Sequence, residues 1–236
     1  MRKVFITFII ALTSMLYLNG GLVRSDLAGR SIAYIQQEEG RVLPDGIIAV
    51  EYIESSGTQY IDTQFVPNKD TGIILDAAYK DDGIYGRLFG TQVDGYGKTI
   101  VLRRSSASGG DFYIQGGNPW KEVKYQFDMD RHLFKFNYPR TCYGIDDVIL
   151  FNTSLGDVVH SCWLFGNNNV DYQLGQGKIY EFIVIDLNSR EYLLDFVPCR
   201  FMNENDEIEG GFYDLVSKTV FRNQGTGSFT IGPDKE

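Results

Sequence analysis

The sequence predicts an all-β domain of the sandwich or barrel kind. A length of 236 residues favours one such domain over two ordinary ones. The 26 glycine, 15 tyrosine and 16 phenylalanine residues favour strands that are joined by tight turns. Beyond the N-terminal segment, no long stretch shows the apolar period of about 3.6 residues that predicts a helix.

The N-terminal segment has the pattern of a secretory signal peptide. Arg2 and Lys3 precede an apolar run from Val4 to Leu18, which ends at Asn19-Gly20-Gly21. The run is shorter than the roughly 20 residues that a membrane span needs. We therefore expect residues 1–21 to be removed on export, which leaves a mature chain without a membrane span at the cell surface, in the periplasm or outside the cell. An uncleaved anchor stays open as the alternative, because no A-x-A cleavage triplet is present.

The mature chain is expected to contain a polar linker over residues 22–42, one domain over 43–232 and a short tail over 233–236. Short apolar runs bounded by Gly, Asn and Asp predict about a dozen strands in the domain. The clearer ones are Gly72–Tyr79, Arg87–Thr91, Lys98–Arg103, Asp111–Gln115, His132–Asn137, Asp147–Asn152, Cys162–Phe165, Lys178–Asp186, Glu191–Pro198, Phe212–Asp214, Thr219–Arg222 and Ser228–Ile231.

The two ends of this domain have the same character. Leu43–Phe65 and the second half of Phe196–Ile231 both alternate short apolar runs with turn residues. We expect the two stretches to meet in one sheet, with the residues between them filling the body of the domain.

The strand Lys178–Asp186 is apolar on both sides. Strict alternation would place Tyr180 with Phe182 and Val184 on one face, and the isoleucines of the strand on the other. A strand of this kind is usually central and covered on both faces. Glu181 interrupts the second face, and a buried glutamate needs a partner such as arginine.

The charge and the cysteines restrict the partners. Arg2, Lys3 and Arg24 are the only charged residues among the first 25, so the rest of the chain carries −12 against −9 for the whole sequence. A surface this acidic argues against a nucleic-acid partner. Three cysteines, at positions 142, 162 and 199, allow one internal disulfide, but three thiols that act as small apolar residues are the favoured interpretation.

Six motifs lie near the two ends of the domain: Leu43-Pro44, Glu51–Ser55, Gly57–Thr63, Pro198-Cys199-Arg200, Gly211–Asp214 and Asn223–Gly227. They resemble a group of bacterial and phage modules of the laminin-G-like kind within the concanavalin A-like lectin/glucanase superfamily. The resemblance covers residues 43–232. It implies a two-sheet antiparallel jelly-roll β-sandwich with one concave face, in an exported protein that binds glycans or other surface partners.

An enzymatic function has one candidate motif. Glu204 and Glu209 match the E-x-D-x-x-E pattern of the glucanases in that superfamily, and retaining glycosidases need two carboxyl groups about 5 Å apart on a rigid support. The residues between them lack the alternation of a buried strand, so a solvated acidic loop is the favoured interpretation. His132 and His160, the two histidines, have no signature partner and are expected to be ordinary residues.

Carbohydrate binding needs aromatic faces beside amide and carboxylate groups. Trp120 with Asn118, and Tyr96 with Asp94, combine such side chains with glycine-rich turns and are the candidate ligand-binding residues, although packing onto their own sheet is the plainer interpretation. Trp163 and Phe165 are instead expected in the core. No cofactor or metal is predicted; calcium on Asp81, Asp82 and Asp94 is compatible with their chemistry, but no spacing fixes such a site.

The sequence thus favours an exported, non-enzymatic binding module with carbohydrate as the ligand class. A glucanase-type glycoside hydrolase and a protein-binding adhesion or structural module remain the alternatives.

Overall fold

The structure, a computed structural model, describes residues 42–80, 86–91, 100–104, 112–119, 121–125, 128–156, 158–167 and 174–235. These residues form strands and turns, and residues Leu43–Glu236 belong to one compact unit. The strands are β1 Ile47–Ala49, β2 Ile53–Ser56, β3 Ile61–Asp62, β4 Thr71–Tyr79, β5 Gly86–Thr91, β6 Ile100–Arg104, β7 Phe112–Gly116, β8 Lys121–Tyr125, β9 His132–Phe136, β10 Cys142–Ile145, β11 Val148–Asn152, β12 Trp163–Leu164, β13 Gln176–Asp186, β14 Tyr192–Met202, β15 Ile208–Asp214, β16 Thr219–Arg222 and β17 Thr230–Ile231. Among the described residues, no helix is long and apolar enough to cross a bilayer.

The strands are arranged in two antiparallel sheets. The large sheet has the order β11-β10-β9-β4-β13-β14-β15-β16, with β1 paired to β14, and β2 paired to both β13 and β17. The small sheet has the order β3-β12-β5-β6-β7-β8. Side chains of both sheets share one hydrophobic core, in which the Phe89 ring of the small sheet lies 5.6 Å from the Phe182 ring of the large sheet. The predicted fold class, an all-β two-sheet antiparallel sandwich, is therefore confirmed.

The two ends of the domain meet as the sequence predicts. Strand β17 pairs with β2, with Thr230 opposite Glu54, and β1 pairs with β14. The turn between β16 and β17 adds two more bonds, because the backbone N–H groups of Gln224 and Thr226 donate to the carbonyl oxygens of Tyr60 and Thr58, each at 2.9 Å. The motifs Gly57–Thr63 and Asn223–Gly227, which lie near opposite ends of the domain in sequence, thus contact each other in the structure.

Strand β13 lies between β4 and β14, as its two-sided apolar pattern predicts. The predicted facing of its first half is wrong. A β-bulge between Ile179 and Glu181 shifts the alternation, so Ile179 joins Phe182 in the core and Tyr180 lies on the opposite face. The bulge adds one residue to one strand only, which reverses the side to which the preceding residues point. Glu181 is half-buried, and its negative charge acts on Arg131. An arginine near Glu181 is what the sequence analysis expected.

The three cysteines are free thiols, which confirms the favoured interpretation of the sequence. Cys162 and Cys199 are buried, and Cys142 is half-buried. Burial raises the pKa of the Cys199 thiol to about 12, so this thiol stays protonated and unreactive at neutral pH.

Candidate functional site

The small sheet has a core face and an outer face, although a β-bulge between Arg87 and Phe89 interrupts the alternation in β5, where Leu88 and Phe89 both lie in the core. Residues that are paired side by side on antiparallel strands project to the same face. One row of partners points into the core: Leu164, Phe89, Leu102, Ile114 and Val123. The neighbouring row points away from the core: Trp163, Gly90, Val101, Gln115 and Glu122. Two residues further along, Arg103, Tyr113 and Lys124 continue this outer face.

The outer face carries a planar polar network across strands β6, β7 and β8. Arg103 Nη2 donates to Glu122 Oε2 at 2.9 Å, and the Gln115 amide donates to the same carboxylate oxygen. The Arg103 guanidinium also lies over the Tyr113 ring, 4.4 Å from its centre. Charge-assisted bonds and cation–π contact hold these side chains in defined orientations. The network is partly exposed: Glu122 is exposed, Arg103 and Tyr113 are half-buried, and Gln115 is buried.

An aromatic stack lies at the other end of the same outer row. The rings of Tyr60 and Trp163 are parallel within 13°, with centroids 4.3 Å apart. Trp163 was predicted in the core together with Phe165, and both residues are buried. Trp163 is 7% exposed and lies on the outer row. Phe165 has a positive φ of 60°, which ends the strand alternation and turns its ring into the core.

The predicted ligand-binding residues map to the connections of the small sheet in chain order. Asp94 and Tyr96 fall between β5 and β6, and Trp120 directly precedes β8; all three lie outside the described residues and stay predictions. Asn118 is described and exposed. Its backbone N–H donates to the Ser154 carbonyl oxygen at 2.7 Å, and Ser154 Oγ donates back to its carbonyl oxygen at 3.0 Å. Asn118 thus anchors the β7–β8 connection.

The candidate catalytic glutamates lie in different settings. Glu204 is exposed in the turn between β14 and β15, where the Asn203 side chain accepts bonds from the backbone N–H groups of Asn205 and Glu207. Glu209 lies on β15 and forms an ion pair with Arg222 at 3.2 Å. This confirms the solvated acidic loop for Glu204, whereas Glu209 belongs to a strand. A rigid strand therefore supports one of these carboxyl groups and not both.

No cluster of His, Cys, Asp or Glu suited to a metal ion occurs within the described part of the chain. The calcium hypothesis rests on Asp81, Asp82 and Asp94, which lie outside that part.

His132 has partners that the sequence analysis missed. Its two ring nitrogens lie 2.8 Å from Asp146 Oδ2 and 2.9 Å from Asp128 Oδ1. Both nitrogens face acceptors, an arrangement that the doubly protonated imidazolium satisfies. Burial lowers the pKa of His132, but the two carboxylates together outweigh burial, and the pKa is raised above its usual value. The segment before β9 is thereby tied to the β10–β11 turn.

We expect a His132→Gln variant to lose stability mainly at acidic and neutral pH. The stabilisation by His132 is fully present below its unfolded pKa of about 6.5 and is lost as the pH rises through the higher folded pKa. Asp128 stays ionised in this window because its pKa is lowered, first by the Asp130 backbone N–H and then by His132. Urea denaturation of parent and variant between about pH 5 and pH 9 measures the difference. His160→Gln is the control, and a difference that does not shrink with rising pH would contradict the arrangement.

Comparisons with known proteins do not assign the chain to a family. No family model matches the chain, and no curated protein matches it significantly. Among solved structures, it is similar to a protein of Bacteroides ovatus named "a putative carbohydrate binding protein", with a TM-score of 0.47 and 14% sequence identity. The match covers 79% of this chain and 60% of that one, so the chain spans about three-fifths of that protein's length. A likeness at this level says nothing about the ligand of this chain.

Proposed function

We propose that the chain is an exported binding module of the concanavalin A-like, laminin-G-like kind that takes carbohydrate on the outer face of its small sheet. The observation that carries the proposal is the network of Arg103, Gln115 and Glu122 beside the Tyr113 ring. The signal-like N-terminus and the resemblance motifs support export and the kind of module.

The network has the chemistry that sugar hydroxyls need. Two donors converge on one oxygen of Glu122, which fixes the carboxylate and leaves its remaining lone pairs for hydroxyl donors. Arg103 and Gln115 add N–H donors in fixed planes, and Tyr113 adds an aromatic ring for sugar C–H groups. Side chains that are ordered before binding lose less entropy when the ligand arrives. A shallow polar face of this kind suits a glycan better than an apolar small molecule.

The residues predicted from the sequence fit this proposal by their place in the chain. Tyr96 and Trp120 belong to the connections that follow β5 and β7, both strands of the small sheet. We propose that they extend the aromatic part of the site beyond the strands themselves.

The proposal predicts a selective loss of glycan binding. The purified Ser25–Glu236 fragment is applied to a broad glycan array, together with Glu122→Gln and Tyr113→Ala variants and a Tyr96→Ala, Trp120→Ala double variant. We expect specific binding that falls by more than about tenfold in each, the effect of one lost charge-assisted bond or one ring contact. Glu209→Gln is the matched control, because Glu209 is also a strand carboxylate paired with an arginine, on the large sheet.

Two results would count against a sugar site on this face. One is silence across the array from a fragment whose folding is shown by circular dichroism, which would favour a protein partner at the cell surface. The other is an equal loss of binding in Glu122→Gln and Glu209→Gln. If Glu122→Gln fails to fold, the Tyr113→Ala variant still tests the face.

A further inference from the structure

A groove of about 720 Å³ lies on the large sheet, over the side where β2, β13 and β4 run next to one another. We call it the Tyr180 groove. It is lined by Glu54, Ala78, Tyr79, Lys80, Met129, Asp130, Arg131, Gly177, Lys178 and Tyr180. None of these residues belongs to the small-sheet face described above.

The backbone register explains the shape of the groove. Lys178 is paired with Glu54 on one side and with Ala78 on the other, so this row presents a small residue beside two long ones. Gly177, next to Lys178, has a positive φ of 155°, and a Cβ at that position would collide with the Ala78 carbonyl oxygen. Ala78 and the backbone of Gly177 therefore form the floor, while the Cβ position of Gly177 points toward Leu88 in the core. The β-bulge of β13 turns Tyr180 away from the core, and its ring becomes a wall.

The charges of the groove are sorted by depth. Lys80 Nζ lies 3.2 Å from Glu54 Oε1, and the side-chain exposures are 54% for Lys80 and 16% for Glu54. Arg131 binds Asp76 with two bonds of 2.7 and 2.6 Å, and the exposures are 56% for Arg131 and 16% for Asp76. In both pairs the carboxylate lies beneath and the cation faces solvent. The cation is thus the more exposed partner of each pair, so cationic groups face solvent at the mouth of the groove.

Two tyrosine rings lie against the cations Arg131 and Lys178. The Arg131 guanidinium lies 4.1 Å from the centre of the Tyr180 ring, and Lys178 Nζ lies 4.1 Å from the centre of the Tyr52 ring. The two rings meet edge to face, with centroids 5.5 Å apart. Asp130, at the rim, is the exposed carboxylate among the lining residues. The lining thus holds three cations and two carboxylates around a space of ligand size, and Asp130 is the more exposed of the two carboxylates.

The chemistry of the groove selects an anionic ligand of sugar size. Cations held over aromatic rings, with tyrosine hydroxyls near them, suit a carboxylate together with neighbouring hydroxyl groups. An extended peptide would bind by adding a strand at an open sheet edge. The floor here is the middle of the sheet, where β13 is already paired on both sides. A sugar acid therefore fits the groove better than an acidic peptide.

We propose that the Tyr180 groove is a second binding site, for a uronate residue of an acidic glycan. Its carboxylate lies between Lys178, Lys80 and Arg131, and its ring lies over the floor of Ala78 and Gly177. The site is independent of the Glu122 network, because it lies on the other sheet.

The test is calorimetric titration of the Ser25–Glu236 fragment with trisaccharides of galacturonate, glucuronate and mannuronate. Their uncharged methyl esters and a tetraglutamate peptide are the comparison ligands. We expect at least one acid to bind more than about tenfold more tightly than its ester and than the peptide, the loss expected for one charge-assisted contact. Lys178→Gln and Lys80→Gln should weaken acid binding by a similar factor, and Glu122→Gln should leave it unchanged.

Each other outcome overturns the proposal. If none of the acids binds, the Tyr180 groove is not a uronate site. Binding of neutral glycans that depends on Glu122 would in that case still support the small-sheet face. Equal binding of acid and ester removes the role of the carboxylate, and binding of tetraglutamate as tight as that of the acids favours a peptide partner. Loss of acid binding in Glu122→Gln moves the ligand to the small sheet. Thermal unfolding checks each variant, and Lys80→Gln, at a largely exposed side chain, is informative if Lys178→Gln fails to fold.

Discussion

Replacement of Phe182 by alanine is expected to lower the free energy of unfolding by about 3–5 kcal/mol. The Phe182 ring is fully buried, 5.6 Å from the Phe89 ring of the small sheet and 5.6 Å from the Phe196 ring of the neighbouring strand. Its removal leaves a cavity where the two sheets meet, and strands that are hydrogen-bonded on both sides cannot move to fill it. Urea denaturation followed by tryptophan fluorescence measures the change.

Two further variants separate the cavity from the loss of any aromatic ring. Phe182→Leu keeps most of the volume and should lose a smaller part of the stability. Tyr192→Ala removes a ring that is 46% exposed at the start of β14, and it should have little effect. A loss of less than about 1 kcal/mol in Phe182→Ala would contradict the account of a shared core between the two sheets.

Phe182 also shows what the sequence determines about the fold. The two-sided apolar pattern of its strand predicts a central position, because both faces must be covered. The same pattern could not predict the bulge at Ile179 and Glu181, since one unpaired residue leaves no mark on composition or periodicity. The bulge also changes the surface of the large sheet. The bulge turns Tyr180 outward, and Tyr180 is a wall of the groove.

Strands β8 and β10 are absent from the sequence prediction. Strand β8 reads Lys-Glu-Val-Lys-Tyr, an edge strand in which charged residues alternate with two partly buried ones, Val123 and Tyr125. Strand β10 is short and contains Gly144, a residue that sequence rules read as a turn. Both strands bury a face, but each does so with only two apolar residues, which is too few for apolar periodicity to detect.

Only part of the proposed binding face could be predicted from the sequence. The sequence places Arg103 and Gln115 on predicted strands, and polar residues that alternate with apolar ones indicate a solvent-facing side. Their convergence on Glu122 depends on the order and register of β6, β7 and β8, which no local pattern encodes. The sequence instead favoured aromatic residues on glycine-rich turns, because these are informative one segment at a time.

The two partners of His132 also differ in how well the sequence could predict them. Asp128 lies four residues before it, within reach of local reasoning, whereas Asp146 comes from another turn. A search for acidic residues near each histidine in the sequence would have found the first partner. The second becomes a neighbour only when β9 pairs with β10.

Replacement of Asp214 by alanine is expected to cost about 2–4 kcal/mol, because it leaves one buried and two partly buried N–H donors without their acceptor. Asp214 closes the Gly211–Asp214 motif, is fully buried and accepts three backbone N–H groups. The Asp195 N–H donates to its Oδ1 at 2.8 Å, which ties β14 to the end of β15. The N–H groups of Val216 and Ser217, at 3.2 and 2.9 Å, shape the turn to β16. Denaturant unfolding measures the loss.

The matched control is Asp186→Ala. Asp186 accepts the N–H groups of Asn188 and Ser189 in the turn from β13 to β14, with the same local geometry but in an exposed setting. Water replaces its carboxylate there, so its loss should be far smaller. Asp214→Asn keeps one acceptor oxygen and should lie between parent and Asp214→Ala. If Asp214→Ala cost no more than Asp186→Ala, burial of the donors would not be what makes this motif necessary, and the motif would have to be explained by something it binds rather than by the turn it builds.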